Sequence, residues 1–169
     1  MTGADAADEL TPLIDLAQSA GAALKDAGLT MATAESCTGG LIGHVLTEVS
    51  GSSDYYLGGL VSYSDALKRN ELGVSVEMLE KHGAVSAQTA VAMAEGARKR
   101  YATDVAIAVT GIAGPSGGSA AKPVGLTYVA VADKVGHEVR RHQWSGDRHA
   151  NKVASAGAAL TLLVERLRR

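Results

Sequence analysis

Chemistry in this sequence starts at Ser36. It stands in the run Ala34-Glu35-Ser36-Cys37-Thr38-Gly39-Gly40, where an apolar stretch with strand character (residues 29–34) gives way to helical spacing (residues 38–49). In open α/β sheets ligands bind outside the carboxyl ends of the strands, so a hydroxyl at such a turn faces the crevice. Main-chain N–H groups opening the helix suit the oxyanion of a tetrahedral intermediate. Gly39 and Gly40 let a substrate come close to the main chain. The plainer reading is that Ser36 or Thr38 only caps the helix, and the segment alone leaves both open.

A serine nucleophile needs a base. The five histidines show no Ser-His-Asp order, and no pair has the spacing of a metal-binding helix. His44, inside an apolar helical segment, reads as a packing residue. That leaves Lys68, which follows a strand (57–63) and Tyr63-Ser64-Asp65 and so can point back over the same sheet end. A lysine withdrawn from water can lose its proton near neutral pH; the plain alternative is a surface lysine on a short helix. Tyr63 is either an edge residue of the core or a hydrogen-bond donor to this base. The Gly-rich segment 110–119 follows an apolar run, 105–109. It is neither a P-loop nor a dinucleotide fingerprint, but its N–H groups can cradle an anion. A surface loop is the bland version. Arg148 opens the last helical segment as a candidate phosphate clamp, with Asp147 as the cap.

The elements that must position these residues follow from composition and periodicity. The chain has 169 residues, 46% hydrophobic but only 4% aromatic, with no Phe. That implies one domain whose core is Ala, Val, Leu and Ile, suited to close helix-on-sheet packing. Twenty Gly against three Pro point to tight turns rather than disorder. A net charge of −2 offers no positive field to nucleic acid, and no apolar window is long enough for a membrane span. A single cysteine excludes an internal disulfide and, with no signal-peptide pattern, sets the expectation of a reducing, cytoplasmic setting. Residues 1–9 are expected to form a disordered tail and 10–169 one domain. After a first helix, the order β-α-β-α-α-β-β-β-α implies a three-layer α/β/α sandwich. Its mixed, mostly parallel sheet should have about five strands, one of them antiparallel through the hairpin at Lys134-Val135-Gly136.

A set of ordered motifs carries a resemblance. They are Ala34 through Gly40, Tyr63-Ser64-Asp65 through Lys68, Leu72-Gly73-Val74, His82-Gly83-Ala84-Val85-Ser86, Thr110-Gly111-Ile112-Ala113-Gly114-Pro115, Lys122-Pro123-Val124-Gly125 and Gly146-Asp147-Arg148. From about Leu10 onward the chain resembles the CinA C-terminal domain family, the nicotinamide-nucleotide amidases. The resemblance implies a serine amidohydrolase of pyridine nucleotide salvage that converts nicotinamide mononucleotide to nicotinate mononucleotide and ammonia. It implies Ser36 as nucleophile, Lys68 as base, Tyr63 and Thr110 as supports and Arg148 as a substrate ligand. Thr38, Gly39, Gly40, Gly111, Ala113, Gly114 and Gly118 complete the expected substrate contacts. No metal or organic cofactor is expected, and a homo-oligomer is. Longer family members carry a second domain resembling molybdopterin-binding proteins, so a stand-alone form is expected here.

The chain departs from the family pattern twice. Asp65 stands where Asn is usual, and a carboxylate there works against a neutral Lys68. Lys152 stands where a second arginine is frequent, which keeps the charge and loses the bidentate fork. Two other readings compete. Cys37 could be the nucleophile, with Glu35 and Lys68 as partners, or the domain could bind nucleotides for regulation without catalysis. Ammonia release separates the last from both enzymes.

Overall fold

A computed structural model describes the main chain from residue 3 and the side chains from residue 9 to the C-terminus. The elements are α1 (Gly3–Ala27), β1 (Met31–Glu35), α2 (Leu41–Thr47), a 3₁₀ turn (Ser52–Asp54), β2 (Tyr56–Val61), α3 (Asp65–Leu72), α4 (Val76–His82), α5 (Ala87–Tyr101), β3 (Val105–Gly111), β4 (Leu126–Ala132), β5 (His137–Gln143) and α6 (Arg148–Leu167). The stretch expected to be a tail is helical from Gly3, with Pro12 inside the helix; Met1 and Thr2 lie outside the described residues.

The strands form one sheet in the order β2-β1-β3-β4-β5. β1 is parallel to both of its neighbours, and β4 is antiparallel to both of its own. β4 is therefore the one reversed strand. It makes two antiparallel pairings, not only the pairing of the 133–136 hairpin, because the loop after β3 also turns the chain back. The consequence for function lies at the other end of the order. β1 sits between β2 and β3, and the three carboxyl ends emerge side by side.

Alternation along β3 and β4 separates two unlike cores. Val105, Ile107, Val109, Val129 and Val131 face α1, α2 and α6 in a cluster with Leu24, Leu160 and Leu163. Ala106, Ala108, Ala130 and Ala132 face the other way, against Met93, Ala94 and Ala97 of α5, with Leu72 and Val74 beside them. No aromatic is among the buried residues of this second face, where a helix must lie close to the sheet; Tyr101 and Tyr128 pack against it only partly buried. α5 also presses on the end of α3, where a Cβ placed on Gly96 would run into the main-chain oxygen of Leu72. Among the described residues no helix is long and apolar enough to cross a membrane.

Gly96 allows a test of this packing. In a solvated helix, Gly→Ala would be stabilising by about 1 kcal/mol. Here Gly96→Ala is expected to destabilise by about 1–3 kcal/mol, the usual cost of overpacking, read as a lower denaturation midpoint with an unchanged m-value.

Candidate active site

The three adjacent strand ends supply the parts. Glu35 is the last residue of β1, paired on one side with Val61 and on the other with Val109. The ladder continues for one more residue, as the Ser36 N–H donates to the Val109 carbonyl at 3.0 Å. The chain then turns sharply through residues 36–40, with Gly39 and Gly40 at φ 65° and 97°, values that favour glycine. Neither Ser36 nor Thr38 caps α2. The cap is the buried Glu35 side chain, 2% exposed. One carboxylate oxygen accepts from the Thr38 hydroxyl (2.7 Å) and the Gly40 and Ile42 N–H groups (3.0 and 3.1 Å), and the other accepts from the Gly43 N–H (2.8 Å). This is why α2 begins at Leu41, later than its apolar spacing suggests.

Lys68 comes from the neighbouring strand end. Ser64 caps α3 by accepting from the Leu67 N–H at 3.2 Å, so Lys68 falls on the helix's first turn and its side chain runs inward. It is 2% exposed. Its ammonium nitrogen donates to the Ser62 carbonyl at 2.8 Å, the Ser36 hydroxyl at 3.1 Å and the Tyr63 carbonyl at 3.5 Å. Burial pulls the Lys68 pKa below its ordinary value, and the nearby Asp65 charge works the other way. Cys37, next to the serine, is also buried, and burial pushes its thiol up to about 12.

The third wall is the segment after β3. Thr110 donates its hydroxyl to the Ala84 carbonyl at 2.8 Å, tying β3 to the 82–86 turn. A Cβ on Gly111 would meet the Thr127 hydroxyl and the Cys37 sulfur at 2.6 and 3.1 Å, so this strand end needs glycine to lie against the nucleophile turn. The start of α6 closes the wall. Asp147 caps it, accepting from the Ala150 N–H at 2.9 Å. Arg148 donates to the Gly114 carbonyl (2.7 Å) and the Tyr63 hydroxyl (3.1 Å). Asn151 is buried and holds the same loop, donating to the Ala113 carbonyl and accepting from the Gly146 N–H, both at 3.0 Å.

Together these segments enclose a cleft of about 260 Å³ at the carboxyl edge of the sheet. Of the residues singled out in the sequence, Ser36, Lys68, Tyr63, Thr110, Gly111, Ala113, Gly114 and Arg148 line it, as does Asp65. Thr38, Gly39, Gly40 and Gly118 do not. Thr38 is buried on Glu35, Gly39 and Gly40 shape the turn, and Gly118 packs against Val124. Tyr63 serves Lys68 through its carbonyl, while its half-exposed ring and hydroxyl belong to Arg148. Glu35 as a cap, Ser62 and Asn151 were missed. The one sequence signal for Glu35 was a charged residue closing an apolar strand directly before the nucleophile. Among the described residues no three His, Cys, Asp or Glu side chains gather to hold a metal ion.

A family model for the CinA C-terminal domain matches residues 13–167. The chain belongs to the CinA C-terminal domain family. It is 53% identical over 140 residues to a CinA-like protein of Salinibacter ruber, covering 83% of this chain and 34% of the relative. It is 51% identical over 148 residues to a putative competence-damage inducible protein of Moorella thermoacetica, covering 88% and 36%. The chain thus spans about a third of the length of these curated relatives. Among solved structures, a competence/damage inducible protein of Agrobacterium tumefaciens superposes with TM-score 0.90 at 42% identity, covering 94% of this chain and 96% of that one. A CinA superfamily protein of Klebsiella pneumoniae superposes with TM-score 0.89 at 34% identity, covering 92% and 98%. The five-stranded mixed sheet is therefore the fold of CinA proteins.

The buried lysine of this CinA domain leaves a mark on stability. Between its lowered folded value and the ordinary lysine value, an unfolded chain binds a proton that the folded chain does not, so stability rises with pH across that window. The melting temperature of Lys68→Met subtracted from that of wild type should therefore grow as pH is raised toward about 10. A pH-independent difference would mean Lys68 titrates as it does in water.

Proposed function

We propose that this chain hydrolyses the carboxamide of nicotinamide mononucleotide, giving nicotinate mononucleotide and ammonia, with Ser36 as nucleophile and Lys68 as base. The observation that carries this reading is the 3.1 Å contact between the Ser36 hydroxyl and the buried Lys68 nitrogen at the floor of the cleft. That distance is within reach of direct proton transfer. Burial supplies the other requirement, a lysine more easily deprotonated than in water.

Neutral Lys68 takes the Ser36 proton as the serine oxygen bonds to the carboxamide carbon. The carbonyl oxygen becomes an oxyanion. Of the N–H groups in the turn, those of Ser36, Gly39 and Gly40 are already engaged, which narrows the expected donors to Cys37 and Thr38. Collapse of the intermediate breaks the carbon–nitrogen bond, and the lysine proton leaves with the nitrogen as ammonia. Lys68 then takes a proton from water as its oxygen attacks the ester carbon, and returns it to Ser36 as nicotinate mononucleotide departs. Arg148, at the cleft wall, suits the phosphate as a charge-assisted donor. Ser36 is preferred to Cys37 because a thiol held up at about 12 holds little thiolate near neutral pH.

Ammonia release on adding the mononucleotide tests the reading. Ser36→Ala should lose about 10³-fold or more of the rate while keeping the melting temperature, and Cys37→Ala should keep most of it. The reverse pattern would establish the thiol mechanism, and a wild-type chain that binds the mononucleotide without releasing ammonia would make the domain a binding module.

Asp65 offers a second measurement. Activity should climb with pH as Lys68 loses its proton. Removing the opposing charge with Asp65→Asn should move that climb to lower pH, and Lys68→Arg should be nearly inactive because arginine keeps its proton. Superimposable pH–rate profiles of wild type and Asp65→Asn would take Asp65 out of the mechanism.

A further inference from the structure

Glu35 lies outside the cleft lining, yet every part of the dyad is fastened to it. Its side chain is buried and both carboxylate oxygens are filled, accepting from Thr38, Gly40, Ile42 and Gly43. All four donors belong to the turn that carries Ser36 and to the helix that follows. Its carbonyl oxygen reaches the other partner, because the Ser62 N–H donates to it at 2.8 Å and the Ser62 hydroxyl at 3.4 Å. Ser62 in turn holds Lys68, whose nitrogen donates to the Ser62 carbonyl at 2.8 Å. One residue thus sets the nucleophile through its side chain and the base through its main chain.

A helix cap needs only one acceptor, and Ser, Thr, Asp or Asn supplies it in most proteins. A glutamate extending from the preceding strand to engage four donors across residues 38–43 does more than a cap. It closes the nucleophile turn into a ring, and charge-assisted hydrogen bonds to a buried carboxylate are the strong kind. A Gln in its place would turn an NH₂ group toward donors on one side. The turn would relax, and Ser36 with it.

We infer that Glu35 is the positioning residue of the Ser36–Lys68 pair, holding the nucleophile turn at hydrogen-bond distance from the base. This inference rests on the proposed Ser36–Lys68 mechanism.

The test measures two things on the full chain: kcat and KM for the mononucleotide, and the rate at which a phosphonofluoridate labels Ser36. The second needs no knowledge of the substrate. Glu35→Gln should lower kcat and the labelling rate in parallel, by roughly tenfold to hundredfold, the scale of a small misplacement of a reacting group. KM should change little, since Arg148 and the 110–119 segment are untouched. Should Glu35→Gln fold poorly, Thr38 gives a milder probe. Thr38→Val keeps the shape and loses the hydroxyl, and Thr38→Ser does the opposite. Loss with valine and rescue by serine support positioning, whereas loss with serine and full rate with valine mean that only packing matters and overturn it. Wild-type labelling rates in Glu35→Gln, with nothing but a lower melting temperature, also overturn it. So does a pH–rate midpoint displaced to lower pH, which would make Glu35 an electrostatic partner of the lysine instead. A wild-type chain that takes the label but releases no ammonia removes the proposed substrate and leaves the positioning role readable from labelling. One that does neither overturns both.

Discussion

A lysine side chain taken out of water must be given acceptors, and much of this structure follows from giving them to Lys68. The Ser62 and Tyr63 carbonyls and the Ser36 hydroxyl surround its nitrogen. Two of these come from the end of β2 and one from the turn after β1. They converge only because β1 and β2 are parallel neighbours, so that their carboxyl ends share an edge. The same alignment brings β3 to β1 from the other side, and with it the Thr110 wall of the cleft. Without the parallel pair of β1 and β2 the lysine would be stranded, and a stranded buried ammonium costs several kcal/mol. The reversal at β4 comes after these three strands and leaves their shared edge intact.

The cleft itself is made of main chain more than of side chains. Carbonyls of Ser62, Tyr63, Ala84, Ala113 and Gly114 all accept bonds that hold its walls. This explains the glycine and alanine content of the lining. Small residues expose the backbone, and an exposed backbone can be gripped from several directions by Lys68, Thr110, Arg148 and Asn151. Those four side chains act as struts around the strand ends, and Lys68, Thr110 and Arg148 also line the cavity. The site is therefore closely braced and buried where chemistry is proposed, at Ser36 and Lys68, and more open at Arg148, whose partner Tyr63 is half-exposed.

Much of this was legible in the residues. Asp147 announced the start of α6 through local chemistry, and the apolar run 105–109 announced the central β3. Ser36 and Lys68 were legible as a pair because both follow strands. The roles that stayed hidden are those that depend on three-dimensional reach. Nothing local says that Glu35 bends forward across eight residues to Gly43, that Asn151 crosses to a loop 38 positions earlier, or that Tyr63 offers its carbonyl to one cation and its hydroxyl to another. The start of α2 was misread for the same reason. Its apolar spacing begins early, but a buried carboxylate from the preceding strand decides where the helix can open. Likewise Thr38 has the right composition for a surface of the cleft and is buried instead on Glu35.

The unequal faces of the sheet have a consequence for how such a sequence can drift. On the valine face, side chains are large and branched, and an exchange of Ile for Val or Leu for Met is absorbed by neighbours at a cost below about 1.5 kcal/mol. On the alanine face there is little side chain to rearrange. Ala106, Ala108, Ala130 and Ala132 meet Met93, Ala94 and Ala97 across a seam where an added methylene pushes against a helix lying close to the sheet. Alanine also loses no rotamer freedom when it is buried, so this seam orders cheaply while permitting almost no growth. Related sequences should therefore vary freely behind α1 and α6 and stay small behind α5, giving one domain with a plastic side and a frozen one.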